Sequence, residues 1–158
     1  MVRTDFKMVS LNVRGLSDSN KRLSILTWLK KSRYDIVLLQ ETHSTQDVAR
    51  AWENQWKGPA FFSHGTSNSK GCCILISENV EFKPVFIKVD DGGRFIVLKC
   101  CIDDELFSVI NVYAPYREEE YLSFIEKVTK AMSNCSITNL DDIIMGGDWK
   151  VVRDIELD

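Results

Sequence analysis

A chain of 158 residues, 44% hydrophobic and 27% charged, can bury a sizeable core and reads as one domain or part of one. Its formal net charge of -3 excludes a protein that holds nucleic acid by bulk positive charge, so any such contact needs a local patch and a metal. No apolar run reaches the ~18 residues of a membrane span, and Met1 to Phe6 carries no signal-peptide hydrophobic region.

In chain order, Lys7 to Val13 reads as a first strand, ended by Gly15. Lys21 to Lys31 reads as a helix whose apolar stripe is Ile25, Leu26, Trp28 and Leu29. Ile36 to Leu39 is continuously apolar, as a strand buried on both faces would be. Ser44-Thr45-Gln46-Asp47 resembles a capping box with Asp in the last place, which would start a helix through Trp52. Ala60 to Ser63 and Cys72 to Ser77 read as strands around a polar loop, His64 to Gly71. Asp91-Gly92-Gly93 is a turn signal, followed by strands over Phe95 to Ile102 and Leu106 to Val112. Glu118 to Met132 is a helix with Leu122, Ile125, Val128 and Met132 inward. Ile143 to Met145 is a last short strand, broken by Gly146-Gly147. Strands joined directly in the middle, with helices near both ends, predict an α/β (α+β) two-sheet sandwich with outer helices, one domain over 1–158. Residues Lys30, Lys31 and Arg33 end the first helix, where they complement its dipole. The five cysteines lack metal-ligand spacing and read as reduced core thiols of a nuclear or cytoplasmic protein.

Four polar motifs close apolar runs: Ser10-Leu11-Asn12-Val13-Arg14-Gly15-Leu16, Leu39-Gln40-Glu41-Thr42-His43, Asn111-Val112-Tyr113-Ala114-Pro115 and Gly146-Gly147-Asp148-Trp149-Lys150. A carboxylate at a strand end, such as Glu41, suits Mg²⁺, which takes one or two protein carboxylates and keeps several waters. The amide of Asn12 is placed to position Glu41 or a metal-bound water. Asp148 is a candidate to orient or deprotonate water, and the Tyr113 hydroxyl to donate to a phosphate oxygen. Taken singly, Asp148 reads more readily as a turn residue, Glu41 as a solvated carboxylate and Tyr113 as a core-edge ring, and Asn12 also reads as a turn former. His43 and His64 read as polar surface residues or supports of the site.

Together the motifs resemble the exonuclease-endonuclease-phosphatase superfamily, and within it the apurinic-like endonuclease domain of LINE-type retrotransposons. The segments around Asn12, Glu41 and the loop His64 to Gly71 carry that second resemblance. It implies a Mg²⁺-dependent (or Mn²⁺-dependent) phosphodiesterase that nicks DNA, with a larger retroelement polyprotein as context. It implies Asn12 and Glu41 as the metal-side pair, Tyr113 on the scissile phosphate, Asp148 behind the attacking water, and Arg14 and Lys150 toward substrate. The family's Gly-Asp-Phe-Asn reads Gly147-Asp148-Trp149-Lys150 here. Lys150 shares a face with Asp148 in an extended segment, so an ion pair is expected to weaken the base. The resemblance spans the first two-thirds of the family domain and lacks its C-terminal Ser-Asp-His-like motif. The alternative expectation is therefore an inactive, truncated remnant with weak metal or nucleic-acid binding. A relative acting on phosphoinositides or RNA tails is a third reading.

Overall fold

The computed structural model describes residues 5–137 and 143–150; most of Met1 to Phe6 lies outside it. The described elements are β1 (Met8–Asn12), α1 (Ser19–Lys31), β2 (Ile36–Gln40), α2 (Ala49–Trp56), β3 (Ala60–Ser63) and β4 (Cys72–Ile76). They continue with β5 (Phe82–Val89), β6 (Phe95–Ile102), β7 (Glu105–Tyr113), α3 (Glu118–Asn134) and β8 (Ile143–Asp148). The strands form two four-stranded sheets in the orders β1-β2-β4-β3 and β5-β6-β7-β8. Only β1–β2 and β7–β8 run parallel; the other neighbours are antiparallel. This is the predicted sandwich.

Strand alternation distributes the apolar residues into three layers. Between the sheets lie Leu38, Ile74 and Ile76 from one and Ile96, Leu98 and Val109 from the other. Outside the first sheet, Leu26 and Leu29 of α1 and Trp52 and Trp56 of α2 cover Val37, Leu39 and Leu75. Outside the second, Phe124, Val128 and Ala131 of α3 cover Phe95, Val97 and Ile110. The strands β2 and β4 are buried at every residue, which is why their sequences run apolar without alternation. Among the described residues no helix is long and apolar enough to cross a membrane.

Several elements differ from the sequence expectation. Trp28 is 45% exposed, and Arg22 takes an inward place on α1. The Arg22 guanidinium lies 5.7 Å from the Trp52 ring and donates to Leu16 O (3.0 Å) and Gln55 Oε1 (2.8 Å), so its charge is used rather than stranded. The capping box does not form: Thr45 Oγ1 closes on Asp47 Oδ1 at 2.5 Å, and α2 starts four residues later than that box implies, with Val48 as its cap. On α3 the stripe is rotated, with Leu122 exposed and Phe124 and Ala131 buried, because the Phe124 ring packs edge-on against Phe95. Strand β8 runs unbroken through both glycines, paired as Asn111↔Gly146, Val112↔Gly147 and Tyr113↔Asp148. Strand β5 has no counterpart in the sequence reading. Cys135 is the C-cap of α3. Four of the five free cysteines are buried, and Cys101 is half-buried.

Candidate active site

The two parallel pairs fix the site. In β1–β2 the last rung is Asn12↔Gln40, and in β7–β8 it is Tyr113↔Asp148. All four motifs therefore end at one rim of the sandwich, where α/β sheets gather ligands. Two bonds cross between the sheets there. Asn12 Nδ2 donates to Asp148 Oδ2 (2.8 Å), and the Tyr113 hydroxyl donates to Glu41 Oε1 (3.3 Å). The rim thus brings together Asn12, Glu41, Tyr113, Asp148 and Lys150. Arg14 joins through its backbone N–H, which donates to Asn12 Oδ1 (3.0 Å), while the residue itself is exposed.

Glu41 reaches the rim because the chain breaks alternation. Its φ is 56°, in the left-handed region, so the carboxylate does not continue the β2 pleat toward the helices. Neighbouring loops hold that turn: Gly15 N–H donates to Glu41 O (2.7 Å), Leu16 N–H to Thr42 O (2.9 Å) and Thr42 N–H to Gly71 O (3.0 Å). His43 lies directly on Gly15, where a Cβ would stand 2.5 Å from Nδ1, and the glycine's φ of 81° is one that side chains resist. Lys21 Nζ binds the carbonyls of Val13, Arg14 and Gly15 at 2.8–3.1 Å, clamping the turn that follows Asn12. His64 stacks on Phe62 at 5.2 Å and meets Ser44 Oγ at 3.2 Å; burial lowers its pKa. Both histidines thus support loops beside the rim.

Beneath the rim is a buried amide bridge that sequence reasoning missed. Gln40 Nε2 donates to Asn111 Oδ1 (2.8 Å) and lies 3.0 Å from Ser10 Oγ. Asn111 Nδ2 in turn reaches Leu39 O and Cys73 O, each at 2.9 Å. Gln40 and Asn111 are 1% and 0% exposed, so this is a polar tie inside the apolar interlayer. Gln40 adjoins Glu41 and Asn111 lies two residues before Tyr113 in the polar motifs, but only the opposed sheets show what each binds. Arg94 was also missed. Its guanidinium lies 5.0 Å from the Tyr113 ring, and Nη1 donates to Ala114 O (3.3 Å). The one signal for it was a cation directly before an apolar strand.

Lys150 closes the rim. Its ammonium stands 2.6 Å from Asp148 Oδ2, donates to the Tyr116 hydroxyl (3.0 Å), and lies 4.5 Å and 5.4 Å from the Tyr116 and Tyr113 rings. Partial burial pushes the Asp148 carboxyl up, but the hydrogen bonds from Lys150 and Asn12 and the Lys150 charge outweigh it and hold it below the usual range. For Lys150, burial pulls downward and the bond to Asp148 overrides it, raising the pKa. Burial, and then the Glu41 charge, raise the Tyr113 phenol, so it stays a donor. Among the described residues no three His, Cys, Asp or Glu side chains cluster to cage a metal. The oxygen donors of Glu41 and Asn12 instead suit a hard cation that keeps most of its waters. A groove of about 940 Å³ adjoins the rim at Arg94 and Pro115 and runs along α3 to Lys127 and Lys130.

A family model described as "Endonuclease/Exonuclease/phosphatase family" matches residues 9–149. The chain is 30% identical over 147 residues to the Transposon TX1 uncharacterized 149 kDa protein of Xenopus laevis, covering 92% of this chain and 11% of that protein. Solved structures share the fold. An AP endonuclease from Archaeoglobus fulgidus superposes with a TM-score of 0.66 at 22% identity, over 91% of this chain and 57% of that one. The endonuclease domain of TRAS1, a telomere-specific non-LTR retrotransposon, gives 0.63 at 12% identity, over 94% of this chain and 61% of that one. D. rerio TDP2 with a single-strand DNA product gives 0.68 at 13% identity, over 96% and 63%. The chain thus spans about three-fifths of these structures and a ninth of the transposon protein.

Proposed function

We propose, because the chain belongs to the endonuclease/exonuclease/phosphatase family, that this rim is a phosphodiesterase site that cuts the DNA backbone. The observation that carries the reading is the meeting of Asn12, Glu41, Tyr113 and Asp148 at one rim through two cross-sheet hydrogen bonds. DNA as substrate is supported by the names of the similar structures, an AP endonuclease, TDP2 with a DNA product and a retrotransposon endonuclease domain. The transposon relative supports a place in a larger retroelement polyprotein.

Glu41 and Asn12 would hold Mg²⁺ or Mn²⁺, which supplies charge to the phosphate oxygens. Asp148 accepts the proton of the attacking water as its oxygen bonds to phosphorus. The P–O bond to the leaving sugar then breaks and the sugar oxygen takes a proton from solvent water, giving a phosphate monoester end and a hydroxyl end. Asn12 orients the Asp148 carboxylate through Oδ2. The protonated Tyr113 hydroxyl donates to a phosphate oxygen, and the Arg94 guanidinium over its ring adds positive charge at the groove entrance. Plasmid nicking by the purified chain with Mg²⁺ tests this. Asp148→Asn is expected to lower the rate about 10²–10⁴-fold, and Glu41→Ala to abolish nicking and most Mg²⁺ binding in titration calorimetry. Equal nicking or equal Mg²⁺ binding in wild type and Glu41→Ala would overturn the reading.

The second reading, an inactive site, is favoured by the Lys150–Asp148 ion pair, which engages Oδ2 of the carboxylate needed as base. It expects no nicking by wild type. Nicking that appears only in Lys150→Asn would place the restraint in that ion pair.

A further inference from the structure

We propose that the end of the sandwich opposite the active site carries a second surface, an aromatic and basic platform that binds single-stranded nucleic acid. It is built where α1 ends, around Trp28 and Tyr34. Their ring centroids are 5.9 Å apart at 56°, and Trp28 is 45% exposed although the helix has buried positions beside it. Between the two rings the sequence runs Leu29-Lys30-Lys31-Ser32-Arg33, three cations and no acid in a chain whose net charge is -3. Dipole complementation accounts for only part of this charge. Lys30 Nζ donates to Gln55 O (2.6 Å) and Lys7 Nζ to Ser32 O (2.7 Å), with Lys7 also 4.8 Å from the Tyr34 ring. Lys31 and Arg33 are exposed.

Beside the rings is a hollow of about 530 Å³, lined by Arg33, Tyr34 and Trp56, by the polar residues Ser77 and Asn79, and by the acidic Glu78. The Asp35 carboxylate at its wall accepts Lys7 N–H (2.8 Å). Aromatic faces next to cations recognise a strand whose bases are unstacked, because stacking needs an open base face and the cations follow the phosphates. A duplex presents no base faces, so the single strand is the better fit. Strand β2 runs from this platform to Glu41, about 20 Å at the usual rise per residue. The platform is therefore separate from the rim, and the proposal stands whether or not the rim cleaves.

Fluorescence anisotropy of a labelled 15-nucleotide thymidylate strand, measured with the whole chain in EDTA, tests the platform. Trp28→Ala is expected to weaken binding about tenfold, with Trp28→Phe restoring most of it. Lys31→Glu with Arg33→Glu is expected to weaken binding further and to flatten its salt dependence. Plasmid nicking, if present, is expected to be unchanged by Trp28→Ala. Binding within twofold of wild type in both the Trp28→Ala and charge-reversed chains would overturn the proposal. So would equal affinity for a duplex of the same length, or binding to anionic phospholipid vesicles without binding to the strand.

Discussion

At the scale of single residues, the Asp148–Lys150 pair dictates a pH dependence. The folded Asp148 pKa is depressed, so its contribution to stability is present above the unfolded value and lost as pH falls through the folded one. The folded Lys150 pKa is raised, so its contribution is complete below the unfolded value and lost as pH rises through the folded one. The pair therefore stabilises between about pH 4 and about pH 10. Thermal melts of wild type and Lys150→Met are expected to differ in that window and to converge below it. The amide bridge gives a second residue-scale expectation. Asn111→Ala removes the side-chain donor to Leu39 O and Cys73 O and one of the acceptors of Gln40 Nε2. Leaving such buried groups unpaired costs about 1–3 kcal/mol each, so urea unfolding of Asn111→Ala should show a loss at least that large.

At the scale of elements, β8 is the sensitive one. A Cβ on Gly147 would stand 2.1 Å from Val112 O, and its φ is 147°. Gly147→Ala must push β8 off β7 and carry Asp148 with it. The expected outcome is a destabilisation of about 1–3 kcal/mol and loss of the Asn12–Asp148 bond, read by denaturant unfolding and by Asn12 side-chain NMR shifts. The same element shows how far the sequence could be read. Apolar runs that end in a polar motif are a local signal, and every strand marked that way exists. The glycines looked like a break because their role is set by β7, whose neighbour they need to approach. Strand β5 stayed hidden because its residues are mostly exposed and Pro84 interrupts the pattern. Helical spacing defines a stripe and so places Trp28 and Leu122 inward, whereas the facing sheet decides the rotation of that stripe. The residues of the rim were legible one by one. Their pairing, 136 residues apart for Asn12 and Asp148, was not, since it depends on how two sheets face each other.

At the scale of the whole molecule, the described sheets leave β1, β3, β5 and β8 as edges. Val85, Phe86 and Ile87 stand exposed in a row on β5, next to the register shift between Pro84 and Phe86. An apolar edge invites pairing with another chain, and an irregularity blunts it only locally. Phe86→Lys is expected to reduce light scattering and hydrophobic-dye binding with little change in melting temperature. The cysteines report on the same architecture in time. Alternation sends Cys72 into the interlayer and its neighbour Cys73 toward the helices, while Cys100 faces the interlayer and Cys135, at the end of α3, is buried in the layer between that helix and the second sheet. Burial holds the Cys72 and Cys73 thiols above their ordinary pKa and pushes Cys100 up to about 12, so a folded layer protects its own thiol from alkylation. A pulse of alkylating reagent followed by peptide mass mapping would then act as a stratigraphic clock, dating when each layer of the sandwich opens by which cysteine is marked first.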